Sequence, residues 1–266
     1  MRRGLLLRAI RFEDGEGRRS TLEERRLVSM ADMHLAGLEL ALTAENWSAG
    51  VTVRSGIDGR VVNAGAKLYE RFDNRHLAPI AGGPAGDEGV YLLVHTNQSD
   101  LAIAARTRAS LRSGDGGSPA STAGSRDDRG PAEGARRRVE EPAYVAEEFQ
   151  ARLQQGETLV VEKVIALHTS RDAAISECGL AARKAIARAP GFESVLGAHA
   201  LAWRQLWRRF DVHLRAAGDG FPLNVPMLLR LNMFHLLQAA SLGSIGLDIG
   251  VPARGWTGEA YQGHVF

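Results

Sequence analysis

Hydrophobic and polar positions alternate with a period of two over most of the chain from Leu5 to Thr169. Leu38, Leu40 and Leu42 are interleaved with Glu39, Ala41 and Thr43, and Val51 and Val53 with Thr52 and Arg54. Tyr91–Thr96, Leu101–Thr107 and Thr158–Thr169 follow the same rhythm and are rich in β-branched residues. Successive side chains of a strand point to opposite faces, so this pattern predicts strands with one face buried. Asp14-Gly15, Asp58-Gly59 and the Ala81–Gly89 stretch, with its four glycines, supply turns between them. Many short strands at regular spacing predict an antiparallel β-sandwich rather than a βαβ arrangement.

Two stretches interrupt the pattern. Ser113–Arg138 is built from Gly, Ser, Pro, Asp and Arg and predicts a mobile loop between strands, because it cannot bury enough apolar surface to offset its ordering entropy. Val145, Phe149 and Leu153 recur every four residues, which suits a helix closed by Gly156 and, nearly as well, a strand leading into Thr158. Beyond Thr169 the period becomes helical. Ser170 or Asp172 is a suitable cap for a helix through Ala189, ended by Pro190-Gly191. Phe192–Leu214 carries Leu196, His199, Trp203, Leu206, Trp207 and Phe210 on one stripe, which reads as a packing face ahead of a ligand platform. Asn224, with Pro226 in the first turn, predicts a third helix to about Ala240 through Leu228, Leu231, Phe234 and Leu237.

With 266 residues the chain can form one large or two smaller domains. Its formal charge is +2, and its arginines sit among acids, as in Glu23-Glu24-Arg25-Arg26, which argues against nucleic acid or an anionic membrane as the main partner. The single cysteine, Cys178, allows no internal disulfide. Arg8 breaks the apolar run after Met1 too early for a signal peptide, and Arg230, Asn232, His235, Gln238 and Asp248 interrupt Met227–Val251, so the expectation is a cytoplasmic, soluble chain.

Common reaction signatures are missing from the sequence. There is no Gly-x-Ser-x-Gly elbow, no His-x-x-x-His spacing, and no phosphate-cradling glycine loop of Walker or Rossmann type. The expectation is therefore no metal and no cofactor. The remaining candidate is Val251–Phe266, where Arg, Trp, Glu, Tyr, His and Phe stand among glycines. Aromatic faces stack on pyranose rings while charged groups hydrogen-bond hydroxyls, so this mixture suits a sugar site. A glycine-rich connection with an ion pair such as Arg254 with Glu259 suits it equally.

The string Arg254-Gly-Trp-Thr-Gly-Glu-Ala-Tyr-Gln-Gly-His-Val-Phe266 resembles a loop of glycoside hydrolase family 65, which includes trehalose, maltose and kojibiose phosphorylases. Thr43–Ser48, Val51–Asn63, Glu162-Lys163, Thr169–Asp172 and His199–Phe210 resemble the same family in order and spacing. In the family the loop continues into Trp-Asp.

The resemblance implies a galactose-mutarotase-like supersandwich, a helical linker and an (α/α)6 barrel. On this chain the expected divisions are an incomplete β-sandwich at 1–170, a helical linker at 171–221 and the start of the barrel at 222–266. It implies inverting phosphorolysis of an α-linked disaccharide to β-glucose 1-phosphate, with inorganic phosphate as co-substrate and one glutamic acid protonating the glycosidic oxygen. That acid, the Trp-Asp pair and the phosphate-binding residues fall beyond Phe266, so no catalytic residue is assigned. Arg254, Glu259, His264 and Phe266 are the candidate substrate-binding residues at the pocket rim. The expectation is an internal piece of such an enzyme, inactive alone, with a homodimer as candidate assembly. The alternatives are a non-catalytic carbohydrate-binding or oligomerisation module, or one half of a split enzyme. An incomplete sandwich would leave an open strand edge, and a lone barrel helix would expose Leu228, Leu231, Phe234 and Leu237.

Overall fold

The structure, a computed structural model, describes residues 1–62, 74–86, 89–114, 136–214 and 224–244. They fall into two compact units. One comprises Met1–Leu5, Ser29–Met33 and the chain from Leu196 onward, and the other Leu6–Val28 and His34–Val195.

The larger unit is an antiparallel sandwich, as the alternating pattern predicts. Among the described residues ten strands run in chain order: β1 Leu6–Glu13, β2 Arg19–Val28, β3 Leu35–Ala44, β4 Ala49–Asp58, β5 Leu77–Pro84, β6 Gly89–Thr96, β7 Ala102–Gly114, β8 Arg137–Glu141, β9 Tyr144–Leu153 and β10 Thr158–Thr169. Seven form one sheet in the order β1-β2-β3-β10-β7-β6-β5, and β4-β9-β8 form the other. The expected Asp14 turn closes the β1–β2 hairpin, with Asp14 Oδ1 accepting from the backbone N–H groups of Glu16 and Arg18.

Two apolar clusters fill the space between the sheets. In one, Leu159, Leu42 and Leu111 meet Ala151, Leu153, Val51 and Val53; in the other, Val90, Leu92, Val94 and Ile103 meet Val145 and Ile57. Register then sorts the remaining residues. Leu22 pairs with Leu42 and Phe12 with Ser20, so Leu6, Phe12 and Val28 share the inner face of the larger sheet, and all three are exposed. β1 is an edge strand, as an open sandwich requires.

Several sequence readings need correction. Val145, Phe149 and Leu153 belong to a strand rather than a helix. A four-residue recurrence is also two periods of two, and a ten-residue register with β4, from Ala49↔Leu153 to Asp58↔Tyr144, decides between them. Ser113 and Gly114 lie in β7, and Arg137 and Arg138 in β8, so both ends of the expected loop are paired strand; its remainder, 115–135, lies outside the described residues. Helix α1 covers Cys178–Arg188 and is capped by Glu177, whose carboxylate accepts from the N–H groups of Gly179 and Leu180. Asp172 is engaged elsewhere, accepting from the Thr169 N–H at 2.9 Å and its hydroxyl at 3.0 Å.

α1 lies on the outer face of the larger sheet. Cys178 and Ala182 pack on Ala104, while Ile186 and Ala189 pack on Leu35, Val164 and Ala166. Helix α2, Phe192–Phe210, follows. Its first ring, Phe192, presses on β3 so closely that a Cβ at Gly37 would sit 2.9 Å from the ring, which reserves that position for glycine.

In the smaller unit the aromatic stripe of α2 is a packing face. Trp203 is 1% exposed and stacks on Phe234 of α3, Val225–Ala239, with ring centroids 4.7 Å apart. His199 accepts from the Met30 N–H through Nδ1 at 3.0 Å, and its Nε2 lies 3.1 Å from the Gly4 carbonyl. A carbonyl only accepts, so Nε2 carries the proton and the ring is neutral; burial holds its pKa below the ordinary value. Gly4 has φ +58°, and a Cβ there would collide with the Trp203 indole. α3 begins after Asn224, whose side chain makes no capping hydrogen bond to the helix. Leu228 and Leu231 are exposed as expected, but Phe234 is covered by Trp203. Among the described residues no helix is long and apolar enough to cross a membrane.

Candidate functional site

Arg254, Glu259, His264 and Phe266, the rim residues expected from the sequence, lie outside the described residues together with the rest of 245–266. The described residues hold three other concentrations of polar chemistry, all on the sandwich.

The first joins His34, His168 and Asp172. The two imidazoles stack, with centroids 3.8 Å apart and planes 14° from parallel. Asp172 Oδ2 lies 3.2 Å from His168 Nδ1 and 3.6 Å from His34 Nδ1, while His34 Nδ1 donates to the Leu167 carbonyl at 3.0 Å. Two histidines and a carboxylate are a metal-ligand set by composition. The stacking works against a shared ion, because nearly parallel rings direct their lone pairs side by side rather than toward one point. The observed contacts instead tie β10 to the residue before β3. Sequence reasoning missed the cluster: only the His168-x-x-x-Asp172 spacing was visible, and no chain pattern announces His34.

The second is the inner face of the larger sheet at Lys163. Its ammonium donates to the Gly56 carbonyl of β4 at 2.7 Å, and burial holds its pKa below the ordinary value. The adjacent strand brings Ser55 opposite Glu147, both buried. The third is the outer face, where Glu39 accepts from Arg25 Nε at 2.9 Å and from Arg112 at 3.1 Å, and Arg25 also pairs with Glu193. Cys178 is buried against Ala104 and Ala182, and burial raises the thiol pKa, so it is a packing residue rather than a nucleophile.

None of these clusters combines a nucleophile, a base and an open cleft, so the described part of the chain offers a frame more than a reaction centre. Comparison with known proteins says which frame it is. The model of "Glycosyl hydrolase family 65, N-terminal domain" matches residues 1–206. The chain belongs to glycosyl hydrolase family 65.

Over its whole length it is 34% identical to an uncharacterized glycosyl hydrolase of Mycobacterium tuberculosis, of which it covers 18%. It is 26% identical to the kojibiose phosphorylase of Thermoanaerobacter brockii, again over its whole length and over 32% of that protein. A solved structure, a putative kojibiose phosphorylase from the human microbiome, superposes with a TM-score of 0.69 at 13% identity, covering all of this chain and 31% of the other. That likeness establishes the fold: a family 65 β-sandwich followed by helices. The chain thus spans about a fifth to a third of the length of these relatives.

Proposed function

We propose that these residues form the sandwich, linker and first barrel helix of an inverting α-glucoside phosphorylase, and that they carry no catalytic acid themselves. The observation that carries the reading is the run from Arg254 to Phe266, which has the family's loop pattern and follows a chain that matches named phosphorylases end to end. In the whole enzyme a barrel glutamic acid protonates the glycosidic oxygen of a disaccharide such as kojibiose, trehalose or maltose. Inorganic phosphate attacks the anomeric carbon from the opposite face, which yields β-glucose 1-phosphate and needs no second catalytic carboxylate. Arg254, Glu259, His264 and Phe266 line the pocket rim, with Arg254 and Glu259 binding hydroxyls and Phe266 offering a ring face.

Two preparations test this. The purified 266-residue chain, given each disaccharide with phosphate, is expected to release no glucose 1-phosphate; sustained phosphate-dependent turnover would show that the acid lies within it. A chimera in which this chain replaces the matching third of the T. brockii kojibiose phosphorylase is expected to release β-glucose 1-phosphate. A folded chimera that releases no β-glucose 1-phosphate overturns the reading that this chain supplies the sandwich, linker and first barrel helix of such an enzyme. Hydrolysis is the second reading, and the relative named a glycosyl hydrolase at 34% identity favours it.

A further inference from the structure

Helix α3 is joined to the rest of the smaller unit by contacts at a few positions, and much of its apolar surface takes no part in them. Among the described residues Met227, Leu228, Leu231 and Leu236 are exposed. Phe234 stacks on Trp203. Gly243, in the short turn Leu242–Ser244 after the helix, lies against Met33, whose Cε would stand 3.2 Å from a Cβ at that position. The polar tie is Arg230, whose Nε donates to Asp211 Oδ1 at 3.1 Å.

Asp211 is built to act as a clasp. It directly follows α2, and its N–H donates to the Trp207 carbonyl at 2.9 Å, so its backbone is fixed to the last turn of that helix. Its side chain is 12% exposed. Oδ2 accepts from Arg2 Nη2 at 2.8 Å, and His213 Nε2 lies 3.6 Å from the same oxygen. One carboxylate thus joins the first residues of the chain, the end of α2 and the second turn of α3.

Arg230 and Phe234 are four residues apart, so they share a face of α3 and stand about 6 Å apart along its axis. A ring stack has a broad optimum and lets a helix slide and roll. A hydrogen-bonded ion pair to a fixed oxygen is directional, so the second contact sets the rotation of α3 about its axis. From α3 the chain runs on to Arg254–Phe266, the run assigned above to the pocket rim.

We propose that Asp211 is a positioning residue for the disaccharide site: through Arg230 it sets the rotation of α3, and with it the approach of Arg254 and Glu259 to the sugar hydroxyls. The inference rests on the rim reading given above. Asp211 itself touches no substrate and moves no proton. Rim contacts to hydroxyls are made in the bound disaccharide and in the transition state alike, so loosening them raises KM and leaves kcat in place.

The test is steady-state kinetics on the chimera in which this chain replaces the matching third of the T. brockii kojibiose phosphorylase, with kojibiose as substrate and Tm measured beside KM and kcat. D211N and R230Q should each raise the KM for kojibiose about fivefold, the weight of one lost hydrogen bond. The kcat should stay within about twofold. The double variant should go no further than either single one, because both remove one shared interaction. D211E keeps the charge and should recover part of the affinity. R2Q leaves the Asp211–Arg230 contact in place and should not move KM. V164A opens a cavity where Val164 packs with Ile186 and Ala189; it should lower Tm and leave KM alone, which separates positioning from lost stability. The inference is overturned if D211N leaves KM at the parent value, if kcat falls with KM unmoved, or if V164A raises KM as much as D211N. A parent chimera that releases no β-glucose 1-phosphate removes the functional reading and this inference with it, a result distinct from an active chimera indifferent to Asp211.

Discussion

On the outer face of the seven-stranded sheet, Glu39 is buried and receives one arginine from β2 and one from β7, two strands away, and the first of these, Arg25, also lies over the Phe192 ring at 5.0 Å. On the inner face of the same sheet, Lys163 points between the sheets and reaches a single backbone carbonyl. Both positions are polar residues of central strands, and Lys163 lies in Glu162-Lys163, one of the stretches that resemble the family. The outer charges are matched across three strands, which makes them a cooperative network. The inner charge has its stem in the core and its head held by a dipole, so its removal and the removal of Glu39 should have opposite signs.

The largest expected effect is on the matched side. Glu39→Ala leaves Arg25 and Arg112 without their shared acceptor, and removing one partner of a buried pair costs about 3 kcal/mol. Denaturant unfolding of the folded chain measures it, with an unchanged slope confirming that only stability moved. A loss near zero would mean that Glu193 alone satisfies Arg25, and the outer network would reduce to surface pairs.

The inner side should respond in the other direction and more weakly. Lys163→Met keeps the stem volume and removes the buried charge, with an expected gain of about 1 kcal/mol after loss of the hydrogen bond to Gly56. The pH dependence fixes the sign. The folded-state pKa is lowered, whereas the unfolded chain keeps the ordinary value of 10.5. The unfolded state therefore binds the extra proton, and wild-type stability falls as pH drops from 10.5 toward the folded pKa. The methionine variant does not titrate there. Its advantage should be largest below the folded-state pKa and should fade as pH rises toward 10.5, a trend that unfolding across pH would reveal. A constant difference would show that packing, not charge, is responsible.

The same contrast explains what could be read from the chain. Alternation places Leu38, Leu40 and Leu42 on one face and Glu39 on the other, because the strand period is local. It also shows Arg106, Arg108 and Arg112 as one row. Which of them finds an acceptor depends on β6, β3 and the end of α1, and such long-range partners leave no local pattern. The same holds for His34, just before β3, and His168, on β10, and for β9, whose spacing fits two periods until β4 pairs with it. At Asp172, two acceptor-type residues competed for a helix start, and the Thr169 hydroxyl and N–H took the carboxylate, leaving Glu177 to cap α1. The rim role proposed for residues within Arg254–Phe266 rests on the mixture of ring and charged residues and on family resemblance, because a glycine-rich run has no periodicity to interpret.

The smallest effect sharpens the inner face further. Ser55 is buried beside Gly56, the carbonyl that holds Lys163, and its hydroxyl has no hydrogen-bond partner among the described residues. Val51, Val53 and Ile57 flank it on the same face, so Ser55→Ala exchanges an unsatisfied polar atom for an apolar one without opening a large cavity. The expected gain is about 0.5 kcal/mol by thermal or denaturant unfolding. A loss instead of a gain would reveal an ordered water bridging Ser55 to Lys163 or Glu147, and the inner face would then be a satisfied polar network like the outer one. Combining Ser55→Ala with Lys163→Met separates the cases, since independent defects should add within about 0.5 kcal/mol and a shared network should not.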